Sequence, residues 1–274
     1  MNKTKRRKII TLAEAEKLLC KFQDYLEEEE KAKATVEKYM RDVRYFLAFA
    51  PGDQKIEKSL VLKYKEHLGE KYAVASANSM LASLSSFLRF AGFGDCCVHQ
   101  FRVQKQLYCP EDKELTREEY TRLVRTAEQN GNRRLSMILQ TICGTGIRVS
   151  ELKFITLEAV RRGEAIVTNK GKTRTVFLPT MLQKMLLKYA RENQIETGIL
   201  FITRTEKPMN RGNIWREMKD LCDQAEVAAC KVFPHNLRHL FARAFYQIER
   251  DVVKLADILG HSSINTTRIY TTSS

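Results

Sequence analysis

The chain lacks the features that would tie it to a membrane, an oxidising compartment or a bound nucleotide. No apolar run approaches the roughly 20 residues needed to span a bilayer. Its basic start, Met1 to Lys8, is followed by only a short apolar patch before Glu14 and Glu16, so it reads as neither a signal peptide nor a membrane span. Cys20, Cys96, Cys97, Cys109, Cys143, Cys222 and Cys230 form no CxxC pair and no Cys/His metal spacing. Several sit in apolar helical patterns, and together they read as reduced core residues of a cytosolic protein. No P-loop, internal repeat or low-complexity tract occurs, and no long segment has the composition of a disordered chain.

What is present is positive charge on a globular chain. At 274 residues, two domains are expected, each large enough to bury a core. Lys and Arg number 47 against 33 Asp and Glu, a formal net charge of +14, which points to a polyanionic partner.

Residues 1–10 read as a basic arm, able to touch phosphates or to remain a free tail. Residues 11–97 read as a four-helix bundle. Its stripes are Leu12, Leu18, Leu19, Phe22 and Leu26, then Val36, Tyr39, Met40, Val43, Phe46 and Leu47 closed by Pro51-Gly52. Leu60, Val61, Tyr64 and Leu68 follow, then a fourth stripe from Ala77 to Phe90 stopped at Gly92 and Gly94. Lys31, Lys33, Lys38, Arg41 and Arg44 recur along the second helix with few acids between them. Alone, such a row fits a solvated face as well as a DNA-facing one; beside the chemistry below, a DNA-facing surface is the better reading.

Residues 98–114 have no sustained apolar period and read as a linker. Residues 115–274 form the second domain, opened by Thr116 as N-cap and Glu119 at the capping-box position. Helices are expected over about 117–129 and 132–143, broken at Gly144-Thr145-Gly146, after which Arg148 is displayed with Glu151 close enough to orient it. An Arg/Glu pair near a helix end is more often structural than catalytic, so it needs a second line of support. Ala165 to Val167 and Thr175 to Leu178 read as a hairpin whose tip, Thr168 to Thr173, carries Lys170 and Lys172. A helix after Pro179, a short strand over Ile199 to Ile202 and a helix after Asn210 lead to Val232.

Chemistry concentrates between Phe233 and Tyr270. Pro234 suits a first helical position, and His235, Arg238 and His239 then share one helical face beside an apolar stripe of Leu237, Leu240, Phe241, Ala244, Phe245 and Ile248. A second apolar segment from Val252 to Leu259 is stopped by Gly260, which puts His261 at a corner. Ser262 or Ser263 would cap a last short helix carrying Tyr270. Its β-branched residues Ile264, Thr266, Thr267 and Ile269 make its position depend on packing, so a movable tyrosine is expected.

Arg148 in Thr-Gly-Ile-Arg-Val-Ser-Glu-Leu, the lysine hairpin, His235-x-x-Arg238, Leu-Gly-His261 and Tyr270 follow one another in the order and spacing of the tyrosine recombinases. Over nearly its whole length the chain resembles that family, of the Xer/integrase kind. The resemblance implies a mainly α fold with a small β-sheet: an N-terminal helical, SAM-like core-binding domain and a C-terminal α+β catalytic domain. It implies Tyr270 as the nucleophile forming a 3′-phosphotyrosyl bond, and Arg148 and Arg238 as the pair holding the phosphate oxygens. His235 and His261 would hydrogen-bond the phosphate or help move a proton, and His239 would stand behind them. Lys170 would be the general acid for the leaving 5′-oxygen, with Lys172 the alternative, because this hairpin is a residue shorter than the commoner Lys-Gly-x-x-Lys form. The reaction needs no metal, nucleotide or other cofactor. A zinc reading of His235 and His239 is the rival, but Asn236 occupies the place of the HExxH glutamate and no third ligand is suggested by spacing.

The implied partners are double-stranded DNA and three further copies of the chain, a homotetramer on two paired sites, with no membrane. The implied location is the bacterial cytoplasm, at the nucleoid when on DNA. Integration, excision, inversion and dimer resolution all fit; so, less well, do a type IB topoisomerase and a catalytically silent DNA-binding regulator. Only four residues follow Tyr270, where many relatives continue into a tail that docks on a neighbouring subunit. About ten precede the first helix, too few for a separate arm-binding domain.

Overall fold

In a computed structural model, residues 10–102, 113–169, 171–261 and 263–270 are described. The chain divides into two units, Met1–Lys105 and Gln106–Ser274.

The first unit is helical: α1 Leu12–Glu16, α2 Leu19–Glu28, α3 Lys33–Leu47, α4 Lys58–Lys71 and α5 Val74–Phe90. The first expected helix is in fact two. A capping box between Thr11 and Glu14 starts α1, which ends after five residues. The buried set Leu12, Ala15, Leu19, Phe22 and Leu26 keeps helical spacing across the break, so the apolar pattern gives no sign of it. The core joins Phe22, Phe46, Tyr64 and Phe87, with the Phe22 and Phe87 rings edge to face at 5.2 Å.

The row of cations on α3 also needs correction. Lys31 precedes the helix. Lys38 is turned into the bundle, paired with the buried Asp42 at 2.5 Å and donating to Ser83 Oγ at 3.1 Å. Lys33, Arg41 and Arg44 are exposed along α3.

In the second unit, α6 (Arg117–Gln129) begins with the expected Thr116/Glu119 capping box. α7 (Arg133–Thr145) runs through Gly144 and ends only at Gly146, which takes the left-handed conformation at φ 65°. A 3-10 turn (Val149–Phe154) and α8 (Leu157–Arg162) lead into the hairpin β1 (Glu164–Asn169) and β2 (Lys172–Phe177). These strands are longer than their β-branched runs, pairing antiparallel from Glu164 with Phe177 to Asn169 with Lys172. Lys172 therefore lies on a strand, and the connection shrinks to residues 170 and 171; Lys170 itself lies outside the described residues.

α9 (Thr180–Glu192), α10 (Arg211–Asp220), α11 (Pro234–Glu249) and α12 (Val252–Leu259) follow. Ile199 and Ile202 make only isolated bridges, to Thr156 and Pro208, instead of a strand. α7 is the central helix: Leu135, Ile138, Leu139 and Ile142 are fully buried, and it packs on α6, α9 and α11. The chain after Gly260 forms 3-10 turns, Ile264–Thr266 and Arg268–Tyr270, instead of one helix, and Ser263 makes no side-chain cap. Four β-branched residues in seven positions favour this broken form.

The cysteines of the described residues are free thiols, but Cys20 and Cys230 are exposed, which corrects the expectation of core positions for all of them. Among the described residues no helix is long and apolar enough to cross a membrane.

Candidate active site

Four separate segments build the site: the end of α7 with the turn after it, strand β2, helix α11, and the corner where α12 stops. Gly146 lets the first two turns of α11 approach α7 closely; a Cβ there would lie 2.5 Å from the Phe241 ring. Gly260 (φ 62°) stops α12 by taking the left-handed conformation, which directs its own carbonyl and that of Leu259 toward the site.

Arg238 reaches from α11 into this gap and is almost wholly buried, 2% exposed. It donates to Gly146 O at 2.5 Å and to Leu259 O at 2.6 Å, and its Nη2 also meets His261 Nε2 at 3.1 Å. A guanidinium can only donate, so His261 Nε2 is the acceptor and its proton sits on Nδ1, where it faces Thr267 Oγ1 at 2.9 Å. Arg148 approaches from the other side. Its Nη1 donates to Glu151 Oε1 at 3.0 Å, its backbone N–H to Glu151 Oε2 at 2.9 Å, and its Nη2 to Gly260 O at 3.2 Å. Both arginines thus end on adjacent carbonyls of one turn, Leu259 and Gly260, although they lie 21 and 112 positions from them.

Arg174, not singled out from the sequence, is the third guanidinium, donating to Glu151 Oε2 at 2.8 Å. Strand alternation could have revealed it: Arg174 shares the buried face of β2 with Val176, an unusual place for a charge. Thr267 and Asn236 were also missed. Asn236 is buried and its amide donates to Lys113 O at 2.9 Å and Lys231 O at 2.7 Å, fastening α11 to the start of the second unit's described chain.

The histidines are held neutral. Burial, then the charges of Arg238 and Arg148, push His261 down to about 4. Burial and the neighbouring His235 and Arg238 do the same to His239, also to about 4. His235 is lowered by burial and by Arg238. Burial, then Arg148 and Arg174, bring Arg238 down to about 10, which leaves it cationic at neutral pH.

Tyr270 is 3% exposed, packed with Ala242, Leu255 and Leu259. Its ring stands perpendicular to that of His239 at 5.0 Å, and His239 in turn lies 4.4 Å from His235. Burial raises the phenol above its ordinary range, against the opposing pull of Arg238 and Arg148. A cleft of about 730 Å³ is walled by Arg148, Glu151, Lys172, Arg174, Asp257 and His261. Among the described residues no cluster of three side chains suited to a metal ion occurs, so His235 and His239 have no third ligand there.

Chemically, such a concentration of cations suits a tetrahedral anion. Arg148, Arg174, Lys172 and His261 line the cleft, and the buried Arg238 is hydrogen-bonded to His261 behind it.

Residues 113–274 match the phage integrase family, and residues 19–92 match the phage integrase N-terminal SAM-like domain. Tyrosine recombinase XerA of Pyrococcus furiosus is 29% identical over 267 residues, covering 93% of this chain and 88% of the relative. The crystal structure of XerA recombinase superposes with a TM-score of 0.53 at 25% identity, covering 95% of this chain and 94% of the other. A lambda integrase tetramer bound to a Holliday junction shares the fold with a TM-score of 0.77 at 18% identity, over 98% of this chain and 80% of that one.

Proposed function

The chain belongs to the phage integrase family, and from that premise we propose that it is a site-specific DNA recombinase working through a 3′-phosphotyrosyl intermediate. The observation that carries this reading is the meeting of Arg148 and Arg238 on the Leu259-Gly260 turn, beside His261 and within reach of the segment that holds Tyr270.

Negative charge grows on the non-bridging oxygens as the nucleophile adds, and two fixed guanidinium groups stabilise it where lysine would do so less well. In the reaction, Tyr270 Oη forms a bond to the scissile phosphorus and gives up its proton, while the bond from phosphorus to the 5′-oxygen breaks. The proton that the 5′-oxygen takes comes from a hairpin lysine. Lys170 fills this role by resemblance; Lys172, on the cleft wall, is the alternative. The neutral imidazoles of His235, His239 and His261 are able to accept the phenolic proton, directly or in turn. Religation is the reverse, with a 5′-hydroxyl attacking the phosphotyrosine, so the energy of the cleaved linkage is retained. No metal or nucleotide is called for.

Strand exchange would pair two duplex sites within four copies of the chain. Lys33, Arg41 and Arg44 on α3 are the candidate phosphate contacts of the first unit, with Lys31 before the helix. Lys38, already paired with Asp42, is the weakest of the five. The working location is the cytoplasm, at the nucleoid.

The test is to express the protein in cells, denature, capture it and sequence any DNA that stays covalently attached, with Tyr270→Phe as control. Attachment at one sequence, lost at least a hundredfold in the variant, is expected. Attachment scattered without sequence preference would favour a topoisomerase, and none in either protein would favour a silent DNA-binding regulator.

A further inference from the structure

We propose that Arg174 is a positioning residue for this reaction: by sharing the Glu151 carboxylate, it keeps Arg148 free to turn to the phosphate. The inference rests on the phosphate-holding role proposed above for Arg148.

A buried carboxylate beside one guanidinium tends to take it in a two-pronged grip. Glu151 is 1% exposed, so little water weakens its pull on a cation. Yet Arg148 gives it only one guanidinium nitrogen, at Oε1. Oε2 is occupied instead by the backbone N–H of Arg148 and by Arg174 Nη2. The other terminal nitrogen of Arg148 rests on Gly260 O at 3.2 Å, the longest of its contacts and the one most easily exchanged for a phosphate oxygen. Loss of Arg174 would remove one of the cations that answer the carboxylate's charge and leave Arg148 under a stronger pull.

Two further observations set Arg174 apart from an ordinary strand residue. Its Nε and Nη1 are buried without a hydrogen-bond partner among the described residues, an arrangement that is costly for a cation and that stability alone does not explain. Its aliphatic stem also lies directly on Gly260, where a Cβ would come within 2.6 Å of Arg174 Cδ and 2.7 Å of Nε. Gly260 is therefore required twice, by its backbone angle and by this close approach. Arg174 thus touches the hairpin that carries Lys172, the Arg148–Glu151 pair, and the corner whose carbonyls hold both Arg148 and Arg238.

The same in-cell capture tests this, read as attached DNA per molecule of captured protein, for wild type, R174M, R174K, E151Q and the double variant R174M/E151Q. R174M should lower the adduct about tenfold, the scale of one lost charge-assisted bond. R174K keeps the charge and should stay within about threefold of wild type. In the E151Q background the carboxylate is gone, so adding R174M should change the yield by less than about twofold. A merely structural arginine would lower the yield by the same factor in both backgrounds, and that result overturns the proposal, as does an R174M yield equal to wild type. If R174M does not accumulate, R174K decides: a yield near wild type supports the proposal, and one as low as Tyr270→Phe overturns it. Absence of adduct in the wild type would instead overturn the reading of the site itself.

Discussion

His239 carries an Nε2 that is buried without a partner, one turn along α11 from His235 and edge-on to Tyr270. Its proton affinity is pushed down to about 4, so the folded protein binds fewer protons than the unfolded chain between about pH 4 and pH 6.5. Stability in that window therefore rises with pH and is lost as pH falls. His261, also at about 4, acts in the same direction. Replacing His239 by phenylalanine removes one such group and an unsatisfied polar atom, whose burial costs about 1–3 kcal/mol. H239F should unfold at no lower temperature than wild type at pH 7 and should lose less stability between pH 6.5 and 4, as thermal unfolding across that range would show. An acid limb as steep as wild type would contradict this. Under the proposed function, a phosphate at the site would reverse the local balance, because negative charge favours the imidazolium forms.

At the scale of elements, the site is a set of helix ends. α7 stops at Gly146, α12 stops at Gly260, and each exposes carbonyls that would be unsatisfied without the buried Arg238. Arg238 therefore serves as a C-cap for two helices, in addition to the phosphate-holding role proposed for it. G146A combines a strained left-handed backbone with a Cβ pressed against Phe241 and Leu259. It should cost roughly 2–4 kcal/mol, measured as a shift in the urea midpoint. A loss under about 1 kcal/mol would mean that α7 and α11 separate easily, and with them the arginine pair. The hairpin adds its own constraint. Pairing of Asn169 with Lys172 leaves two residues for the turn, so Lys172 points from a strand into the cleft wall instead of moving with a loop.

For the molecule as a whole, a formal charge of +14 makes phosphate contacts the main source of affinity. Binding to a duplex should weaken by about three orders of magnitude between 50 and 200 mM salt, the fall expected when some six phosphates are neutralised, as fluorescence anisotropy would measure. A flat response would remove the basic-surface reading. The cations are spread over both units, on α3 in the first, where Asp42 pairs with Lys38, and around the cleft in the second, where Glu151 pairs with Arg148 and Arg174.

The sequence by itself determined the kinds of helix and the order of the reactive residues. Thr116 with Glu119, Pro234 at its helix start and the apolar stripes act over one to four residues, so their consequences are local and legible. It also pointed to Arg148, Arg238, His261 and Tyr270, because their spacing follows a known family. Tertiary structure alone decided what holds those residues. The two carbonyls that receive the arginines come from a turn that has no side-chain signal, and Arg174 is paired with a glutamate 23 positions away. The break between α1 and α2 escaped notice because the buried stripe continues through it, and the expected last helix is two 3-10 turns, the form its β-branched residues favour. Lys38 looked like one more surface cation; its pair with Asp42 is one turn along α3, but only the bundle brought Ser83 to both. Local preference acts along the chain; burial and charge act through space, and the site is made by the second.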